Sequence, residues 1–154
     1  MNPLYLIISL MLTFGSLSAQ TKVYKGNSTN YYDCLYTVVG DKIYRGNSTN
    51  YFDCRYTIHE NKVYQGNSIS YNDCLYTIKG NKIYNGNSTS YSDCLYTILK
   101  GKIYKNNITN YYDCLFTIEH KKVYQANSTN YYDCLVTIDG ELKYTTIAFL
   151  IGPY

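Results

Sequence analysis

The sequence predicts an all-β protein made of six tandem repeats. The chain repeats itself every twenty residues, without insertion or deletion, from Lys22 to Glu141. Each repeat holds a short β run, a turn cluster such as Gly-Asn-Ser and a longer run rich in Tyr, Thr and Ile, as in residues 82–101. The repeats show no helical periodicity. These observations together predict two short strands per repeat.

We call the six residues that occupy one place in the repeat a slot, and we name each slot by its member in the first repeat. The slots Lys22, Asn27, Asp33, Cys34 and Thr37 each hold a single residue type in all six copies. General acid–base catalysis needs unlike groups that converge on one point, and a chain this regular offers few of them. We therefore expect no enzyme and no cofactor.

The first nineteen residues, 1–19, predict a secretory signal peptide. They carry no charged side chain, run apolar from Leu4 to Phe14 and end in a stretch of small residues. The apolar run is short for a bilayer span, which favours cleavage near Ala19 over a membrane anchor. We expect a mature chain without a membrane span that is secreted, periplasmic or part of the cell envelope.

The mature chain divides into a six-repeat β domain, residues 20–141, and a terminal segment, residues 142–154. Within that segment, residues 142–144 imitate the short strand of a repeat, and Ile147–Ile151 is strongly apolar. An atypical terminal segment commonly caps or closes a repeat array. We therefore expect a capping or closing strand over 142–154.

The connections between repeats predict β-hairpins. Residues 80–81, Gly-Asn, are typical of a two-residue turn with glycine at positive φ, so each long strand should pair antiparallel with the next short strand. This register places Ile78 opposite Ile83, and alternation adds Tyr76 and Cys74 to the same face. The Tyr36 slot loses its hydroxyl in two repeats. We predict that this face points inward.

The opposite face of the hairpin should carry Tyr84, Thr77, Asp73 and the Leu35 slot. Arg55 occupies the Leu35 slot in the second repeat. A long charged side chain is rarely buried without a partner, so this slot is predicted to point to solvent.

Two architectures fit these hairpins. One is an antiparallel meander of about twelve short strands that closes into a barrel-like or flower-like ring, because closure removes exposed strand edges. The alternative is a β-solenoid with one twenty-residue coil per repeat. The hairpin turns favour the ring.

The repeat unit also carries a resemblance. Lys-Ile-Tyr-x-Gly-Asn-Ser-x-x-Tyr-x-Asp-Cys-Leu-Tyr-Thr-Ile, over Lys22 to Glu141, resembles the tandem repeats of small bacterial exported proteins of the β-flower type. This resemblance implies an all-β array of hairpins in a bacterial envelope or secreted setting. It implies no chemistry.

The cysteines fall in one slot: Cys34, Cys54, Cys74, Cys94, Cys114 and Cys134. Three interpretations stay open, namely buried thiols that pack as small apolar residues, disulfides between adjacent copies, and metal ligands. Six cysteines allow fifteen disulfide connectivities, so the sequence does not fix a pairing. We favour buried thiols and expect no metal site, because zinc sites want paired cysteines or nearby histidines and His59 and His120 are isolated.

Two further polar slots are expected to be structural. The Asp33 slot lies beyond the glycine-containing turn, unlike the aspartates of calcium-binding repeats. We expect it to accept hydrogen bonds from the Ser or Thr of the turn, or from Lys. The Asn27 slot is expected to hold the turn through its side chain.

Tyrosine gives the strongest functional candidate, because the Tyr24 and Tyr31 slots keep it in every copy while the Tyr36 slot does not. Tyrosine offers a flat apolar face and a hydrogen-bonding rim, which suit sugars or a protein surface. Alternatively these rings pack an outer layer. The candidate binding residues are Tyr24, Tyr44, Tyr64, Tyr84, Tyr104, Tyr124, Tyr31, Tyr51, Tyr71, Tyr91, Tyr111 and Tyr131.

Three classes of function follow. The preferred one is a non-catalytic exported repeat protein that binds a surface, a glycan or a partner protein multivalently. The second is a structural protein of the envelope or extracellular space that self-associates. An enzyme is the least favoured, since only His59, His120 and Glu119 supply scattered non-repeated groups. The net charge of +3, spread along the chain, predicts no nucleic-acid partner.

Overall fold

The chain forms a closed barrel of twelve antiparallel strands, two from each repeat. The structure, a computed structural model, describes residues 19–152, so the predicted signal peptide lies outside the described residues except for Ala19. The strands are β1 Thr21–Lys25, β2 Cys34–Val39, β3 Lys42–Arg45, β4 Cys54–His59, β5 Lys62–Gln65, β6 Cys74–Lys79, β7 Lys82–Asn85, β8 Cys94–Leu99, β9 Lys102–Lys105, β10 Cys114–Glu119, β11 Lys122–Gln125 and β12 Cys134–Asp139.

The hairpins have the predicted register. Ile78 pairs with Ile83 and Lys79 with Lys82, which leaves a two-residue turn at Gly80, where φ is 62°. Neighbouring strands are antiparallel throughout the barrel, whereas successive coils of a solenoid would stack in parallel. The ring is therefore confirmed, and the solenoid alternative is wrong.

The ring closes where the first strand, β1, pairs antiparallel with the last strand, β12. The pairing resembles that of a hairpin, but no turn connects the two strands. The Thr21 hydroxyl donates to the Glu141 carbonyl over 3.0 Å, and the Glu141 amide donates back to the same hydroxyl over 3.1 Å. Gly140, at φ 122°, passes so close that a Cβ there would lie 2.4 Å from the Thr21 Oγ1 atom. Only glycine fits at this seam.

A β-bulge in each long strand corrects two expectations about the faces. Val63 pairs with Tyr76 and Tyr64 with Cys74, so Leu75 is an extra residue in β6. The bulge turns the cysteine outward and the Leu35 slot inward. Predicting Cys74 on the inward face was therefore wrong, and the solvent-face prediction for the Leu35 slot holds for the exposed Arg55 but not for the whole slot.

The contacts of other repeats agree with this assignment. The Cys54 Sγ atom lies 3.9 Å from the outward Thr57 Oγ1 atom. Leu35, Leu115 and Leu135 pack against the core. Ile78, Ile83 and Tyr76 belong to the core as predicted.

The terminal segment is a helix, α1 Tyr144–Ile151, and not the strand expected over 142–154. Residues 146–151 are all buried, each with 6 % exposure or less, so the helix is enclosed on every side. It joins the Val23 and Val38 slots in one core. A twelve-stranded barrel is wider than its own side chains fill, and α1 occupies the remaining interior.

The repeats make different side-chain contacts with α1. The Phe149 ring centroid lies 5.7 Å from that of Tyr56 and 5.9 Å from that of Tyr76. A Cβ at Gly152 would lie 2.3 Å from the Tyr96 hydroxyl, so only glycine fits there. A helix has no sixfold symmetry, which explains why the Tyr36 slot varies among repeats. Burial also raises the pKa of Tyr76 and Tyr96.

Phe149→Ala should lower the free energy of unfolding by about 3–5 kcal/mol, because it opens a cavity in the middle of the barrel. Tyr144→Ala, at a half-exposed position of the same helix, should change it by less than about 1 kcal/mol. Urea denaturation followed by tyrosine fluorescence measures both. Equal effects would contradict a buried α1.

The Gly26 slot adopts a left-handed backbone in every repeat. Its four glycines have φ between 56° and 62°. Asn106 and Ala126 occupy the same slot with φ of 57° and 52°. Alanine has no local hydrogen bond to offset this conformation, so Ala126 stores backbone strain.

Ala126→Gly should stabilise the protein by about 0.5–1 kcal/mol, because it removes this strain. Gly66→Ala is the reverse substitution in another repeat, and its Cβ would lie an ordinary 3.8 Å from the Cys54 carbonyl oxygen. It should destabilise by a similar amount. Thermal melts of the two variants decide the matter, and shifts of the same sign would refute the strain argument.

Candidate functional site

The residues between the short and long strands of a repeat, 26–33 in the first repeat, form a loop that we call a petal. Each petal ends in a 3-10 turn: Tyr31–Asp33, Tyr51–Asp53, Tyr71–Asp73, Tyr91–Asp93, Tyr111–Asp113 and Tyr131–Asp133. The Ser28 hydroxyl accepts from the Asn30 amide over 3.0 Å and donates to the Asp33 carboxylate over 2.5 Å. This confirms the structural role expected for the Asp33 slot.

The fifth petal shows how the loop survives without its serine. Ile108 replaces the serine, and the Asn110 side chain instead accepts a hydrogen bond from the Asp113 amide over 3.1 Å. The asparagine caps the 3-10 turn in place of the serine bond.

A clasp of side chains joins each petal to the preceding repeat. The Lys22 Nζ atom donates to the Asn47 Oδ1 atom, and the Asn47 amide donates to the Tyr31 carbonyl. The Asn27 slot thus binds its neighbour's backbone rather than its own turn. The lysine bonds span 2.5–2.9 Å in the pairs Lys22–Asn47, Lys42–Asn67, Lys62–Asn87, Lys82–Asn107, Lys102–Asn127 and Lys122–Asn27.

The cysteines lie on the outer face of the barrel wall as free thiols. Cysteines of adjacent repeats are two strands apart, which is about 9–10 Å across the sheet and beyond the roughly 7 Å limit for Cα atoms of a disulfide. The geometry therefore excludes disulfides between adjacent copies. Burial raises the pKa of Cys134, although Thr137, Lys122 and the Val136 backbone partly offset it. Such a thiol is a poor nucleophile.

The described part of the chain brings no three His, Cys, Asp or Glu side chains together in a metal-binding group. Within residues 19–152, no helix has the length and apolar character that crossing a membrane requires.

The structure separates the two candidate tyrosine slots. The Tyr24 slot is buried in five repeats, where its rings lie between a threonine and a cysteine of the flanking strands, as Tyr64 does between Thr57 and Cys74. Burial raises the pKa of Tyr24, and Cys34 raises it further. These rings are part of the wall and offer no open face.

The Tyr31 slot is exposed in all six repeats, at 66–78 %. Beside it, the Tyr32 slot holds Tyr32, Phe52, Tyr112 and Tyr132, which are 93–94 % exposed. In these four petals the two rings form an orthogonal pair with centroids 5.5–5.6 Å apart. Sequence reasoning missed the Tyr32 slot because it varies among copies.

A groove lies between neighbouring petals. In the first, of about 540 Å³, the Tyr31 and Tyr32 rings face Arg45, Asn47 and Asp53. A groove of about 500 Å³ lies between the fifth and sixth petals, with a similar lining that has no counterpart of Arg45. A smaller one, of about 240 Å³, lies beside Tyr91. Aromatic rings thus repeatedly border a polar recess.

The chain matches the family model described as "6-fold beta flower protein" over residues 23–150. It belongs to that family. The matched region contains the six repeats and most of α1, and the six hairpins in a closed ring agree with the family's description. The resemblance drawn from the sequence is confirmed. The family implies a non-enzymatic repeat protein. No curated protein and no solved structure matches the chain.

Asn67→Ala should destabilise the protein by about 1–2 kcal/mol, because it removes the bonds to Lys42 Nζ and to the Tyr51 carbonyl together. Asn72→Ala, at an exposed position of the same petal, should cost less than about 0.5 kcal/mol. Chemical denaturation compares them. A negligible effect of Asn67→Ala would show that the clasp does not stabilise the ring.

Proposed function

We propose that the protein is a non-catalytic, exported repeat protein that binds carbohydrate chains multivalently through the grooves between its petals. The single observation that carries this proposal is the exposure of the Tyr31 slot in all six repeats, beside those grooves. Tyrosine presents a flat face for the apolar side of a sugar ring. Asn50 and Asp53 in the groove offer partners for sugar hydroxyls.

The fold uses the tyrosine ring of this slot little: in the third repeat the Lys62 Nζ atom lies 5.8 Å from the centroid of the Tyr71 ring, a weak cation–π contact at an exposed site. The clasp uses only the backbone carbonyl of Tyr31. With about two thirds of each ring in water, its contribution to the core is small. An exposed aromatic residue that recurs in every petal supports a role in recognition.

Several equivalent grooves on one ring can compensate for weak binding at each groove. Single grooves that each hold one or two sugar units would bind weakly, but a polymer that engages several petals at once gains the effective concentration of the linked sites. The ring holds the petals in fixed positions, which keeps the ordering cost of binding low.

Self-association is a second candidate function. The four orthogonal aromatic pairs at 93–94 % exposure favour it, because contiguous exposed rings are common at protein interfaces. It would use the petals and not strand edges, since the closed barrel has none. Sedimentation equilibrium of the unmodified chain distinguishes the two candidates.

Changing the Tyr31 slot to serine in one, two and four repeats should reduce retention on insoluble chitin, cellulose or peptidoglycan more steeply than in proportion to the sites removed. Circular dichroism should stay unchanged, because the rings lie outside the core. Tyr144→Ser, at the half-exposed start of α1, is the matched control and should bind normally. Undiminished retention, or no retention by the unmodified chain on any polysaccharide, would refute the proposal.

A further inference from the structure

The exposed aromatic pairs are not spread evenly around the ring. They occur in repeats five, six, one and two, which are consecutive because β12 pairs with β1. In repeats three and four the Tyr32 slot holds Asn72 and Ser92. We call the four paired petals the aromatic arc.

The cations next to the petals also fall within this arc, in three of its four repeats. The Lys25 slot ends each short strand next to the petal, and it is exposed in every repeat. It holds Lys25, Arg45 and Lys105 in repeats one, two and five, which belong to the aromatic arc, and glutamine or asparagine in repeats three, four and six. Arg55, also exposed, adds a fourth cation to the arc. Arg45 lines the groove that Tyr31 and Tyr32 border.

The other charges do not cancel this excess. The six lysines of the Lys22 slot reach the petals through the clasp, and their charges balance those of the six aspartates of the Asp33 slot. The remaining four cations and five anions lie at the hairpin turns or after β12, at the other end of the barrel. The petal end therefore has an excess of four positive charges, and all four lie in the aromatic arc.

We infer that the aromatic arc is a docking face for an anionic polysaccharide, with its carboxylates on the cations and its sugar rings on the aromatic pairs. This inference rests on the proposed function and names its ligand class. Charge complementarity selects an anion. A chain-like ligand reaches the polar recesses between petals, whereas a flat anionic membrane would touch only the protruding rings.

The first test compares two ligands with one backbone. Polygalacturonate and its methyl-esterified form differ mainly in charge. Isothermal titration calorimetry should show at least about tenfold tighter binding of the unesterified, carboxylate form, and this affinity should fall as the salt concentration rises. Equal binding of both polymers would overturn the inference and leave the proposed function standing. Binding to phosphatidylglycerol vesicles but not to polygalacturonate would overturn it in favour of a membrane surface. If chitin, cellulose, peptidoglycan and both polygalacturonate forms all fail to bind, the proposed function itself fails.

The second test moves charge and leaves the fold alone. Lys25→Gln, Arg45→Gln and Lys105→Gln together copy the residue that repeats three and six carry in this slot, so folding should be normal. Affinity for polygalacturonate should fall by about tenfold. Lys79→Gln, Lys100→Gln and Lys143→Gln together remove the same charge from exposed positions at the opposite end and should change it by less than about twofold. Equal losses in the two triple variants would overturn the arc.

The third test exchanges aromatic residues between the two parts of the ring. Tyr32→Asn and Tyr132→Ser give the arc the residues of repeats three and four, and they should weaken binding of polygalacturonate by about tenfold, since each lost ring removes a stacking face. Asn72→Tyr and Ser92→Tyr extend the arc and should strengthen binding. Unchanged affinity in both variants would show that the rings take no part.

Discussion

The pairing of β1 with β12 is the interaction on which the rest of the structure depends. It makes the sixth and first repeats neighbours, so the strand pairing and the clasp that join other repeats are also made across the seam, without a connecting turn. The Lys122 Nζ atom reaches the Asn27 Oδ1 atom, and the Thr137 hydroxyl donates to the Gly26 carbonyl, as their counterparts do elsewhere in the ring. An open array would leave its two terminal repeats without these partners and expose two strand edges.

Closure also creates the need for α1. A ring of identical hairpins cannot fill its own centre with side chains of ordinary size, because twelve strands enclose more space than the inward Ile and Val residues occupy. One helix fills that space, and its lack of sixfold symmetry is absorbed by a single inward slot, which holds Tyr56 and Tyr76 beside Phe149 but Val136 elsewhere. The outward slots of the wall itself face no such asymmetry and hold one residue type each, namely the Lys22, Tyr24, Cys34 and Thr37 slots.

The sequence predicted the hairpins, their register and the ring, because turn chemistry and the repeat period act locally and recur six times. It did not predict the bulge. Residues 34–36, Cys-Leu-Tyr, are all apolar, so alternation gives no sign of an inserted residue there. The helix was missed for a similar reason, since a five-residue apolar run fits a buried strand or a buried helix equally well.

The candidate site was predicted in part. The Tyr31 slot lies on the surface, but the Tyr24 slot lies in the wall, where its ring is held between strands. A residue type kept in all six repeats can serve the barrel wall or a binding site. Sequence identity among the copies does not tell these two roles apart. The variable Tyr32 and Lys25 slots mark the arc, and only the ring shows that their variants are neighbours, because repeats six and one are far apart in the chain.

The central helix α1 sets the diameter that the barrel must have. An α-helix with its side chains is about 10–12 Å across, and the barrel must close around it without a gap or a clash. Recombination between such similar segments could add or remove one repeat. The barrel would then gain or lose two strands, while α1 inside it stayed the same size. A barrel of five or seven repeats would fit α1 poorly and would be less stable than the barrel of six. The packing of α1 therefore favours six repeats, even though near-identical repeats are easily gained or lost by recombination.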